Sequence, residues 1–307
     1  MSRLQINKNR MLSVSYNAVV YILLIGLSFV FLYPFLHMFA TSFKSYDDLT
    51  DITVKWFPKN FTPSNWAVAF NSLDFFRSFG NSLIVSVTAT AGHILSCSFI
   101  AYGFARFKFP FKKLLFAVLV LAIVVPLPAI IVPQYRMFSS YGVVNQQSIL
   151  DYTAILLPTF FGFGLRGCLF IYLFRQFFIK IPPALEEAAA IDGCNPFKTF
   201  FRIVLPSSGA VILVVFVLSM VWHWNDYYEP SLYISSEQWF LLPQLLPGMK
   251  AIIDTMSSNP ADPNAVRTYN DAVAMAGTAL AAMPMLVMFF CVRNKFMQSI
   301  ERTGLVE

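Results

Sequence analysis

The sequence predicts an all-α membrane protein that crosses the bilayer six times. Three observations carry this. The 307 residues are 57% hydrophobic and only 12% charged, where a soluble domain carries about 25% charged residues. The mean hydropathy is +0.62, and several apolar runs reach the roughly 20 residues that span a hydrocarbon core. Lysine and arginine also concentrate on alternate connecting segments, as the positive-inside rule requires.

The expected spans are about 17–39, 80–105, 114–132, 151–174, 209–228 and 271–292 of a single transmembrane domain, 1–307. The first run is too long for the apolar core of a signal peptide and no small-residue cleavage site follows it, so it reads as a retained helix. Fourteen cations lie on one set of segments: Arg3, Lys8 and Arg10; Arg106, Lys108, Lys112 and Lys113; Arg175, Lys180, Lys198 and Arg202; Arg293, Lys295 and Arg302. The opposite set holds seven, with Arg166 the remaining one of 22. This bias places both termini and the segment around Glu187 in the cytoplasm and 41–78 and 229–270 outside. The net charge of +6 is thereby accounted for by topology, and no nucleic-acid partner is expected. Cys97, Cys168, Cys194 and Cys291 are scattered, with neither metal-ligand spacing nor a disulfide framework. The outside segments are long, which in compact proteins marks functional or disordered loops; 41–78 is long enough for short helices, and 229–270 is rich in Pro, Asn and Asp.

The segment 181–206 is charged and lies between two apolar runs. Pro182 and Pro183 suit a first helical turn, and Glu186 and Glu187 lie at the positive end of the helix dipole. Ala188, Ala189 and Ala190 are strong helix formers with small surfaces. Asp192-Gly193 ends this helix with a residue able to turn left-handed. Asn195-Pro196 begins a second one, whose Phe197, Phe200, Phe201 and Val204 recur at helical spacing; Pro206 limits its continuation. By helix rules alone this is a capped surface hairpin or a docking element.

The spacing Glu187-Ala188-Ala189, three residues, Gly193, nine residues, Ile203-x-Leu205-Pro206 resembles the coupling motif of ABC importer permeases. Phe174-Arg175-Gln176-Phe177-Phe178 before it and Trp224-Asn225-Asp226 after it resemble the carbohydrate-importing branch, the maltose-transporter-type inner-membrane subunits of binding-protein-dependent systems. The resemblance extends from Tyr16 to Arg302. It implies a multi-pass subunit of a bacterial-type plasma (inner) membrane, non-catalytic, paired with a second, homologous permease or an identical copy, and served by a solute-binding protein outside. It also implies that Glu187, Ala188, Ala189, Asp192 and Gly193 meet a cytoplasmic ATPase dimer, which holds the ATP and magnesium. The chain departs from the family in its tail, 299–307, and at Ser207-Ser208-Gly209, where a lysine and a proline are common.

For the substrate, Trp222-His223-Trp224-Asn225-Asp226-Tyr227-Tyr228 has two readings. It is an interfacial aromatic belt, or a sugar platform in which Trp222, Trp224 and Tyr228 stack on pyranose rings while Asn225 and Asp226 accept hydroxyl hydrogen bonds. A lone His223 reads as structural. Arg166 lies nine residues before Arg175, about 13 Å along a helix, and so inside the membrane, where an ionisable residue needs a partner. Either Asp226 or Glu229 pairs with it, or it faces the pathway and attracts an acidic sugar. Pro126, Pro128 and Pro133 break the third span as a hinge, a pathway lining or a packing irregularity. By resemblance, about 249–266 of the outer loop, including Met249, Asp254 and Asn259, reaches the binding protein.

No Gly-x-x-x-x-Gly-Lys-Ser/Thr sequence is present, so ATP binding is not expected of this chain. Neither His-Glu-x-x-His nor Gly-x-Ser-x-Gly occurs, which removes the simplest membrane hydrolases. An ion-coupled transporter would show internal repeats and coupling carboxylates; the sequence shows neither.

Overall fold

The computed structural model describes residues 3–144, 146–164, 166–256 and 270–304. All regular elements among them are helical. The chain forms two compact bodies, 1–72 with 250–280, and 73–249 with 281–307.

In the first body, α1 (Arg3–Ser42) runs for 40 residues. From Tyr16 to Leu36 its large apolar side chains are exposed, the pattern of a helix that faces lipid rather than its own core. Its C-terminal end is tied down by polar side chains. Buried Lys44 donates from Nζ to the carbonyls of Val54 (3.2 Å) and Lys55 (2.9 Å). Asn65 Nδ2 donates to the carbonyls of Ser42 and Lys44. Ser45 caps the short α2 (Tyr46–Thr50), and α3 (Ser64–Ser72) follows. The long outer segment expected at 41–78 therefore does contain short helices.

In the second body, α4 (Phe75–Arg106) is central. Its buried Ala89, Gly92, Cys97 and Ala101 are small, and small residues let membrane helices approach closely. Against it pack α7 (Thr153–Phe160), α8 (Gly167–Lys180) and α12 (Gly209–Asn225). Phe170, Phe174 and Phe178, one α8 face at helical spacing, are fully buried beside Phe200 and Val204.

Three helices are individually long and apolar enough to cross a membrane: Tyr16–Ser42, Phe75–Arg106 and Asp271–Gln298, the last within α15 (Asp271–Gly304). Three bent pairs bring the number to as many as six. The expected third span is α5 (Lys112–Val124) and α6 (Leu127–Ser140), separated at Val125-Pro126. The prolines explain the break, since Pro126 precedes the helix as its cap and Pro128 stands in its first turn.

The expected continuous fourth span, 151–174, is not continuous. A 3₁₀ turn (Ile149–Tyr152) leads into α7, and the chain breaks over 161–166 before α8 begins. Gly162 and Gly164 have φ of +76° and +81°. These left-handed conformations are open to glycine and end a right-handed helix. Gly167 is needed for contact, because a Cβ there would stand 2.5 Å from the Gly162 carbonyl oxygen.

Candidate functional site

The hairpin after α8 is α9 (Ala184–Ile191), a turn, and α10 (Pro196–Thr199). Its turn closes by two backbone bonds. Gly193 N–H donates to the Ala190 carbonyl (3.0 Å) and Cys194 N–H to that of Ala189 (2.9 Å), with Gly193 at φ +77°. This is the Schellman arrangement, which satisfies the terminal carbonyls of α9. Asn195 Oδ1 then accepts from the Lys198 N–H (2.8 Å) and starts α10.

After α10 the helix widens to π geometry over Phe200–Val204, with Leu205 N–H donating to the Phe200 carbonyl. Pro206 has no N–H to give the carbonyl four residues back, and π turns are a regular response to such a gap. The chain continues through α11 (Leu205–Ser207) and bends by 78° at Ser208 into α12. Of the four hydrophobes at helical spacing, Phe200 and Val204 are buried, while Phe197 and Phe201 stay exposed.

Glu187, Ala188, Asp192 and Gly193 are exposed, and Ala189 is buried. Ile191, at 87% exposure, stands beside them. The outer face of the hairpin therefore combines a carboxylate, small residues and an uncovered isoleucine. Glu186, which the sequence reading placed only on the helix dipole, anchors the hairpin. Its Oε1 accepts from Arg106 Nε (2.6 Å) and its Oε2 from the Tyr102 hydroxyl (3.0 Å). A terminal guanidinium nitrogen of Arg106 also donates to the Ile181 carbonyl (2.7 Å). The end of α4 thus grips α9, across more than 75 residues of sequence.

At the other end of α12, the expected sugar-platform residues separate. Trp224 is buried; its indole N–H donates to the Ala281 carbonyl (2.9 Å), and its ring meets Phe79 edge-on. Asn225 and Tyr228 are exposed. Asp226 is buried and its Oδ1 accepts from the Tyr228 N–H (3.0 Å), at the start of α13 (Tyr228–Tyr233). Glu229 is buried too, and burial beside the Asp226 charge pushes its carboxyl up to about 8. Neither acid pairs with Arg166. The three ion pairs among the described residues are Lys59–Asp51, Arg77–Asp74 and Arg106–Glu186. Arg166 instead lies with its guanidinium carbon 5.5 Å from the centre of the Trp222 ring.

His223, read from sequence as a lone residue, has a partner. Its Nε2 lies 3.4 Å from His93 Nδ1, and the two rings stack at 5.2 Å. His93 Nε2 is 2.9 Å from the Phe163 carbonyl oxygen, and its Nδ1 is 3.2 Å from Ser219 Oγ. A carbonyl only accepts, so the ring places a hydrogen on Nε2. This network joins α4, α12 and the 161–166 break; no local pattern marks it, because His93 and His223 are 130 residues apart.

Met249 is buried in α14 (Leu242–Met256), which also includes Asp254. Asn259 lies outside the described residues.

Residues 94–302 match the family described as the binding-protein-dependent transport system inner membrane component. The chain belongs to that family. It is 24% identical over 281 residues to the arabinooligosaccharides transport system permease protein AraQ of Halalkalibacterium halodurans, covering 91% of this chain and 92% of that protein. It is 26% identical over 296 residues to the polygalacturonan/rhamnogalacturonan transport system permease protein YtcP of Bacillus subtilis, covering 94% and 96%. Its fold is similar to that in a crystal structure of a bacterial ABC transporter involved in the import of the acidic polysaccharide alginate. There the TM-score is 0.73 at 18% identity, over 96% of this chain and 98% of the other. The chain is therefore an ABC transporter permease of helical, membrane-embedded type.

Proposed function

We propose that this chain is one of two permease subunits of an ATP-driven importer that carries an oligosaccharide into the cell by alternating access. The reading takes six membrane crossings with both termini in the cytoplasm; the distribution of lysine and arginine supports it, with the hairpin at 181–206 then on the ATPase side. A solute-binding protein delivers the sugar outside, as the family's description implies. ATP and magnesium belong to the partner ATPase.

The observation that carries the proposal is the outward face of the hairpin. Glu187, Ala188 and Gly193 are exposed around an uncovered Ile191, on an element gripped from behind by the Arg106–Glu186 pair. A firmly held element with a bare isoleucine suits a rigid lever that seats in another protein. The hairpin stands directly between α8 and α12, so displacing it moves both. Rigid-body rocking of this kind is a standard way to swap the open side of a transporter. At the other end, Trp222, Asn225 and Tyr228 border the pathway, and sugar hydroxyls meet Asn225 there.

The test is purification of the tagged chain from its native membrane in mild detergent, with mass spectrometry of what accompanies it, for wild type and Gly193→Asp. The expected result is a stoichiometric P-loop ATPase and a second permease chain with the wild type, and loss of the ATPase from the variant. Recovery of intact wild-type chain with no ATPase contradicts the proposal.

A further inference from the structure

Arg166 occupies the break between α7 and α8, well inside the expected membrane span, and its side chain is exposed. Its backbone is left-handed, with φ +66°, a conformation that strains a residue with a β-carbon. The surrounding turn holds that conformation in place. His93 binds the Phe163 carbonyl, and Ser96 Oγ donates to the Thr159 carbonyl (2.6 Å). The arginine therefore springs from a fixed platform rather than a loose loop.

Its charge is unanswered among the described residues. No carboxylate of a described residue lies within ion-pair distance. Asp226, just past the end of α12, accepts the Tyr228 N–H at its Oδ1, and Glu229 is buried. A guanidinium at membrane depth without a counter-charge is costly unless it lines a watery cavity and meets an anion there. Its present neighbour is the indole of Trp222, which itself stacks on Phe170 with ring centres 5.5 Å apart. The guanidinium stands over the indole, so a planar fork of donors is backed by an apolar ring. The fork matches a carboxylate in two parallel hydrogen bonds. The half-buried indole adds apolar surface next to that fork for the C–H groups of a pyranose ring.

We propose that Arg166 and Trp222 form a recognition subsite for a pyranose that bears a carboxylate, so that the transported oligosaccharide is a uronate. This inference rests on the importer reading and adds the substrate class to it. A single negative charge fits better than a phosphate ester, which carries about −1.5 to −2 at neutral pH. Apart from Arg166 itself, α7, the 161–166 break, α12 and α13 contain no lysine or arginine to balance the excess. Arg175, the next cation on α8, is nine residues further, about 13 Å along the helix.

The experiment uses the complete transporter with its binding protein in proteoliposomes supplied with ATP. Uptake is measured for tetrameric uronate oligosaccharides from pectin and alginate and for their methyl esters, which keep the rings and remove the charge. The wild type should take up at least one acid oligomer in preference to its ester. In Arg166→Gln the acid-to-ester uptake ratio should fall about 10-fold or more, the loss expected when hydrogen bonds to a charged group are removed. Arg166→Lys should recover only part of it, because the ammonium lacks the planar fork. Wild-type uptake of the esters in preference to the acids overturns the uronate inference and leaves the importer reading standing, as does an unchanged ratio in Arg166→Gln. Wild-type proteoliposomes that neither hydrolyse ATP nor accumulate any sugar overturn the importer reading itself.

Discussion

Removing the Glu186 carboxylate measures how firmly the hairpin is held. In the intact protein, Oε1 accepts from Arg106 Nε at 2.6 Å and Oε2 from the Tyr102 hydroxyl at 3.0 Å. The two paired side chains are only 17% and 16% exposed, so water screens them weakly. A hydrogen bond to a charged group contributes about 1.5–3 kcal/mol net. Breaking a fully buried pair costs about 3–5 kcal/mol, but here Arg106 keeps the Ile181 carbonyl as a partner. Glu186→Ala should therefore ease opening of the hairpin by about 2–3 kcal/mol, a factor of roughly 30 to 150. Hydrogen exchange on the chain in lipid nanodiscs reads this directly, because local opening governs exchange. The reporters are the Asp192, Gly193 and Cys194 amides, which close the α9 terminus. They should exchange about 30-fold faster or more, while amides of α12 stay as they were. Arg106→Gln should act alike, and the double variant should fall well short of the sum of the two. Exchange within about 3-fold of wild type in Glu186→Ala would refute the reasoning.

Three further outcomes follow from the same geometry. Gly193→Ala meets no atom within 4 Å, so its cost is the left-handed backbone alone, about 1 kcal/mol; the same amides should exchange about 5-fold faster. Glu229→Gln should remove a pH dependence. The buried acid holds its proton up to about 8 in the folded protein against a reference value of 4.5, so wild-type stability should fall as pH rises between these values and level off above 8. The variant's thermal midpoint in detergent should match wild type near pH 5 and exceed it at pH 9. His93→Phe leaves the Phe163 carbonyl without its ring partner, a loss of about 1–3 kcal/mol; exchange across 160–168 should quicken while the hairpin amides do not change.

The hairpin was legible because its determinants are local. Pro182-Pro183, Asp192-Gly193 and Asn195-Pro196 each act within one turn of backbone, and the turn and the second cap form where those residues stand. The break at 161–166 was missed for the opposite reason. Gly162, Gly164 and Gly167 lie in a run apolar enough to read as uninterrupted span, and hydropathy does not register a left-handed φ. Pro158 and the glycine spacing were the available signal. The anchoring role of Glu186 needs Arg106 and Tyr102, some 80 residues away, so its neighbour Glu187 stood out on motif spacing alone. Trp224 shows the ambiguity of aromatic residues near span ends. The same residue suits a sugar platform or an interior, and its bond to Ala281 turns on a helix 57 residues on.

A photo-crosslinking amino acid at position 188 tests most directly whether the exposed hairpin seats in an ATPase. A control carries the same group at position 228, exposed at the start of α13. Irradiation of native membranes should join the chain to a P-loop ATPase from position 188 and not from position 228. An ATPase adduct from 228, or none from 188 in a chain that folds and inserts normally, would contradict the account.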